Sequence, residues 1–103
     1  MSVVEIKNNF KEEALDYKGK VLVDFNATWC GPCRMLKPVI EELANSRDDI
    51  KIVAVDVDEN EDVSKEFNVY SIPCLVLLEN GKEIKRSVGF KPMEELNKFL
   101  GDE

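Results

Sequence analysis

Two thiols stand three residues apart in Trp29-Cys30-Gly31-Pro32-Cys33-Arg34. On a helix that spacing is about one turn, so the two sulfurs can meet. A strand-like run ends at Ala27, and a helix-like run begins at the second cysteine. Cys30 then falls at a helix N-terminus, beside unpaired N–H groups and the positive end of the dipole. Such a position stabilises a thiolate. Pro32 suits a first helical turn, where it has no N–H to lose and its fixed φ stiffens the loop. Gly31 removes side-chain bulk, so a second sulfur can approach. The pair can therefore cycle between dithiol and disulfide with little backbone change. The same spacing occurs in half zinc sites and among unconnected core thiols. Trp29 in front, Gly-Pro inside and the β-α junction around the pair weigh for redox chemistry. The chain has three cysteines and no histidine, short of the four ligands that a closed zinc site takes.

Asp24 lies inside the apolar run Val21–Phe25, where an unpaired carboxylate is costly. Burial would raise its pKa and make it a proton acceptor for Cys33; a half-exposed, solvated strand residue is the plainer alternative. Pro38 falls inside the following helix and must kink it, since it cannot bond back to the Arg34 carbonyl. Pro73 begins a later strand, where sequence rules alone favour a trans bond. The acidic run Asp56, Asp58, Glu59, Glu61, Asp62 and Glu66 lacks the glycine turn of a calcium loop and reads as a solvated face.

The elements that must position these residues alternate. Val3–Ile6 reads as a short edge strand, and Phe10, Ala14 and Tyr17 recur at helical spacing. Lys20–Ala27 reads as a central strand, with Val21, Val23 and Phe25 on one face and Leu22 on the other. Leu36, Val39, Ile40 and Leu43 form the stripe of a long helix over Cys33–Ser46. Lys51–Val57 reads as a buried parallel strand. Asn60 is placed to cap a short helix carrying Glu61 and Asp62 in its first turn, with Val63 and Phe67 buried. Cys74–Leu78 and Lys82–Val88 flank Glu79-Asn80-Gly81, a hairpin signal because Asn-Gly accepts positive φ. Met93, Leu96, Phe99 and Leu100 mark a closing helix. The order β-α-β-α-β-α-β-β-α implies an α/β fold with a mixed sheet and helices on both faces.

Composition narrows the partners. The 103 residues fit a single domain over 1–103, and 44% hydrophobic content supports one modest core without staples. A net charge of −7 has the wrong sign for charge-driven binding to nucleic acid or an anionic membrane. The longest run free of charged or strongly polar residues, Ile72–Leu78, is far below the ~18 residues needed to span a bilayer. The N-terminal residues show no basic patch followed by an apolar stretch, so the expected location is a reducing cytoplasm, where permanent disulfides are rare. The sequence calls for no metal and no cofactor, and it carries no Gly-rich dinucleotide fingerprint.

Val23-Asp24-Phe25, Trp29-Cys30-Gly31-Pro32-Cys33, Pro38, Ile72-Pro73 and Val88-Gly89 stand in the order and spacing of the thioredoxin family, which this chain resembles over nearly its whole length. The resemblance implies a thioredoxin fold, a central mixed five-stranded sheet flanked by four helices. It implies a thiol–disulfide oxidoreductase that reduces disulfides in other proteins, with Cys30 as nucleophile, Cys33 as resolving thiol and Asp24 as proton acceptor. A lowered thiol pKa at the first cysteine is a property of that family and comes with the resemblance. It further implies a cis Ile72-Pro73 bond facing the cysteines. Trp29, Gly31, Pro32, Ile72, Pro73, Gly89 and Phe90 would form a groove holding an extended substrate segment. Disulfide-containing client proteins and a thioredoxin reductase are the implied partners. Three positions depart from the family pattern. Asn26 replaces an aromatic and should loosen packing near the site. Ala54 replaces a lysine near Asp24, whose loss should push the Asp24 pKa up. Cys74 replaces the threonine after the proline, either as an inert buried thiol or as a third redox thiol. The rival readings are an oxidase or isomerase on the same fold, a redox-silent binding subunit, and a metal cluster shared between chains through Cys30, Cys33 and Cys74.

Overall fold

Alternation of β-branched and apolar residues builds five strands, which a computed structural model describes within residues 2–101. They are β1 (Val4–Glu5), β2 (Lys20–Asn26), β3 (Ile50–Asp56), β4 (Cys74–Glu79) and β5 (Lys82–Val88), arranged in the order β1-β3-β2-β4-β5. β1, β3 and β2 run parallel, while β4 is antiparallel to both β2 and β5. The helices are α1 (Gly31–Ser46), α2 (Glu61–Glu66) and α3 (Met93–Leu100). A fourth helical segment, Lys11–Leu15, is a π-helical turn closed by the Asp16 N–H donating to the Lys11 carbonyl at 2.8 Å.

Strand pleating sorts the core into two layers. Val21, Val23 and Phe25 pack with Phe10, Ala14 and Val63 under the π-helical turn and α2. Leu22 and Leu75 pack with Leu36, Ile40, Leu43, Leu96 and Leu100 under α1 and α3. β2 is buried on both faces, as a central strand must be. β5 forms one edge, and its Lys82, Glu83, Lys85 and Arg86 leave that edge charged and exposed, which discourages pairing with another chain. Asn80 (φ 52°) and Gly81 (φ 82°) close the β4–β5 hairpin. A side chain at Gly81 would also put its Cβ 2.6 Å from the Leu15 carbonyl oxygen.

Three local expectations are corrected. Tyr17 does not continue a helical face; it lies beyond the π-helical turn, exposed, with the Lys51 ammonium 4.8 Å from its ring centre. The wide π turn ends the segment at Leu15, before Tyr17 can reach the core. Asn60 precedes α2 but makes no side-chain cap. It is buried, and its Nδ2–H group donates to the carbonyls of Asp56 (3.1 Å) and Ile6 (3.4 Å). Buried carbonyls need donors, and this amide supplies them at the ends of two neighbouring strands. α1 starts two residues earlier than its stripe suggests, because Cys30 itself is the N-cap.

Candidate active site

Cys30 sits where β2 hands over to α1, with extended backbone (φ −91°, ψ 114°), and its Sγ accepts the Cys33 N–H at 3.2 Å. The sulfur thus occupies the place that a serine or aspartate oxygen takes in an ordinary N-cap. The first turn of this 16-residue helix carries no acidic residue, so nothing there opposes a negative sulfur. A disulfide joins Cys30 and Cys33, whose Cα atoms are 5.2 Å apart. Both cysteines are buried, in a small cluster with Ala27, Val57 and Ile72.

Beside the buried pair, Gly31 faces open space. A Cβ built on Gly31 would meet nothing within 4 Å. The Ile72-Pro73 bond is cis, and the Ile72 carbonyl oxygen lies 3.9 Å from Cys30 Sγ. Gly89 donates its N–H to the Pro73 carbonyl at 2.8 Å, so Cys30, Ile72, Pro73 and Gly89 lie together. Pro32 is exposed on the first turn of α1. Trp29 is 66% exposed, and its indole N–H donates to an Asp58 carboxylate oxygen at 2.8 Å. Phe90 follows Gly89 and is 39% exposed. The sequence pattern places Asp58 only on a solvated acidic face. It lies 29 residues from Trp29, and no local pattern signals the pairing.

Behind the sulfurs, Asp24 is 7% exposed, and its Oδ1 has no hydrogen-bond partner. Burial, with a smaller contribution from the Glu5 charge, raises its pKa from the ordinary 3.8 to about 7. Its strand neighbours are Ala54 on β3 and Leu75 on β4, so neither adjoining strand position carries a lysine. Asp24 and Cys33 line one cavity of about 510 Å³, together with Glu5 and Ala54. Asn26 is half-buried and ties its Nδ2–H group to the Asp24 carbonyl at 2.9 Å. Cys74 is not gathered with the other two sulfurs; it packs with Phe25 in the layer under α2. Among the described residues, no group of three or more His, Cys, Asp or Glu side chains is placed to hold a metal ion, and no helix is long and apolar enough to cross a membrane.

The chain is similar to known proteins over nearly its whole length. The thioredoxin family model matches residues 1–102. Bacillus subtilis thioredoxin is 49% identical over 84 residues, 81% of each chain. Staphylococcus haemolyticus thioredoxin is 43% identical over 101 residues, covering 97% of this chain and 96% of its own. The crystal structure of Malassezia sympodialis thioredoxin superposes with a TM-score of 0.86 at 33% identity, covering 96% of this chain and 89% of the other. With a Cys-Gly-Pro-Cys disulfide capping α1 and a family match over nearly every residue, the chain belongs to the thioredoxin family and is a dithiol–disulfide oxidoreductase that reduces protein disulfides.

Proposed function

We propose that Cys30 is the attacking thiol, Cys33 the resolving thiol and Asp24 the acceptor of the Cys33 proton. The Cys30 thiolate attacks one sulfur of a client disulfide, and the other client sulfur leaves as a thiolate. A mixed disulfide now links Cys30 to the client. Cys33 gives its proton to Asp24 and attacks Cys30 Sγ, which expels the second client thiolate. Two electrons have passed to the client, and the protein is left with the Cys30–Cys33 disulfide. The observation that carries this assignment of roles is the asymmetry between the two sulfurs. Cys30 accepts a helix N-terminal N–H beside the open Gly31 face, whereas Cys33 lines the cavity that Asp24 also lines.

Trp29, Gly31, Pro32, Ile72, Pro73, Gly89 and Phe90 form the client-binding surface in this reading. A client segment laid along Ile72-Pro73 in extended form brings its disulfide to Cys30. Re-reduction falls to a separate thioredoxin reductase, because the chain has no dinucleotide fingerprint of its own. The working compartment is the cytoplasm, whose reducing poise keeps the pair available as a dithiol. Trapping tests the roles directly. Cys33→Ser is expected to accumulate mixed disulfides with a protein substrate, visible by mass spectrometry without reductant, while Cys30→Ser forms none. Multiple turnover by Cys33→Ser would remove the resolving role.

A further inference from the structure

The parallel registers place Glu5 of β1 beside Ala54 of β3, and Ala54 beside Asp24 of β2. Residues paired in this way point to one face of the sheet. Glu5 and Asp24 therefore face the same side, separated by a single methyl group. With strands ~4.8 Å apart, their Cα atoms are roughly 10 Å apart. The row continues to Leu75 and Ser87, so among its described members Glu5 is the only other charged group. Glu5, Asp24, Ala54 and Cys33 all line the same cavity. Helix α1 turns Arg34, Lys37 and Glu41 toward that cavity. Lys7 reaches it from the chain after β1, and Asp56 and Glu59 from the end of β3 and the turn beyond. None of these six makes a hydrogen bond to the buried Oδ1 atom, which has no partner.

We propose that Glu5 is a positioning residue for the resolving step, its carboxylate facing Asp24 across the Ala54 methyl and biasing the Asp24 proton toward staying in place. This rests on Asp24 as the acceptor of the Cys33 proton. The consequence for the reaction has two parts. With Glu5 present, Asp24 holds a proton more tightly, so it is a stronger base toward Cys33 but is ionised in a smaller fraction of molecules on the acid side. Removing the Glu5 charge moves the acid limb of the resolving rate to lower pH and lowers its plateau. The raised pKa of Asp24, to which the Glu5 charge contributes after burial, agrees in sign with this placement. Two unit charges roughly 10 Å apart, at an effective dielectric between about 20 and 80, shift a pKa by about 0.3 to 1.2.

The test titrates reduced protein carrying carboxyl-labelled aspartate by NMR and measures the pH profile of the resolving step by rapid mixing. Glu5→Gln is expected to move the Asp24 midpoint and the acid limb down together by about 0.3 to 1.2 at low salt. Glu5→Lys, which reverses the charge, should move both about twice as far. Because Glu5 is exposed, the shift should shrink in about 0.5 M salt, where the screening length is about 4 Å. A low-salt midpoint unmoved by Glu5→Gln overturns the inference, and so does a moved midpoint that the resolving rate does not follow. Asp24→Asn separates this from the underlying reading. If that variant keeps the wild-type acid limb, Asp24 is not the acceptor and the role of Glu5 falls with it. If Asp24→Asn abolishes the limb while Glu5→Gln leaves it in place, the role of Glu5 alone falls.

Discussion

Asp24 and Cys74 are two buried titratable groups on neighbouring strands, one row apart, and they differ in almost everything else. The β2–β4 register pairs Asp24 with Leu75 and Phe25 with Cys74, so the pleat turns the two groups to opposite faces of the sheet. Asp24 opens onto a cavity shared with Cys33; Cys74 packs among Phe25, Val76 and Phe67. Burial raises both pKa values. For the carboxyl group the rise, from 3.8 to about 7, brings it into the range where it exchanges protons at neutral pH. For the thiol the rise starts from 9.0 and leads away from the thiolate, against a smaller opposing pull from Arg86. In the proposed reaction, the same physical cost makes one group a working base and leaves the other a spectator. Placement beside a reacting atom decides which.

The largest effect that sharpens this contrast comes from Asp24→Asn. A carboxyl group whose folded pKa lies above its unfolded value binds the extra proton in the native state. Its contribution to stability is fully present below about pH 4 and is lost as pH rises through about 7. Above that pH the ionised form burdens the native state by about 4 kcal/mol, as an order of magnitude. Urea unfolding of wild-type protein should therefore show stability falling between about pH 4 and pH 7 beyond the common background. Asp24→Asn should remove that fall and be the more stable protein at pH 8. Its mixed disulfide with a client should form at the wild-type rate and resolve more slowly. Equal slowing of both steps would break the comparison at its strongest point, since Asp24 would then act on the fold rather than on the proton.

Ala54→Lys gives an intermediate effect. The variant places a cation beside Asp24 in the same row, reaching into a cavity already open on that side. An opposite charge within ~4–6 Å lowers a carboxyl pKa by ~1–3 units. The Asp24 midpoint should drop by at least about one unit, and part of the stability lost at high pH should return. NMR titration of Asp24 reads the first outcome and urea unfolding at pH 8 the second. An unmoved midpoint would mean that the cavity screens its charges as bulk water does.

What the sequence made legible was local, and what it hid was set by strand register. Trp29 to Cys33 could be read because a β-α junction brings neighbours in sequence together in space. Asp24 stood out as a charge in an apolar strand, and the two-faced burial of Val21–Phe25 followed from composition alone. The pairing of Trp29 with Asp58 and the alignment of Glu5 with Asp24 depend on which strands lie side by side and in what phase. Neither has a signature within a window of ten residues. Asn60 shows how a correct local rule can fail: the residue precedes a helix, but two buried strand-end carbonyls claim its amide. The cis state of Ile72-Pro73 was likewise legible only through family resemblance, since local rules favour trans.

Cys74 carries the smallest expected effect and the other half of the comparison. It follows Pro73, whose neighbour Ile72 touches the active sulfur through its carbonyl, so its backbone lies close to the chemistry. Strand alternation nevertheless sends its side chain into the layer under α2, where it is 1% exposed and one of twelve closely packed buried residues. It begins a strand rather than capping a helix, burial pushes its thiol pKa up, and it is closed off from solvent; each of these suppresses thiolate reactivity. Threonine differs from cysteine here by a hydroxyl and a methyl, and the hydroxyl must find a partner or cost about 1–3 kcal/mol. Cys74→Thr is therefore expected to keep near wild-type disulfide reduction while losing up to that much stability in urea. Mild oxidation of native protein should give only the Cys30–Cys33 disulfide by peptide mass mapping. A disulfide containing Cys74, formed before any unfolding, would show that the strand opens toward the sulfurs and that the two faces of the sheet are not chemically separate.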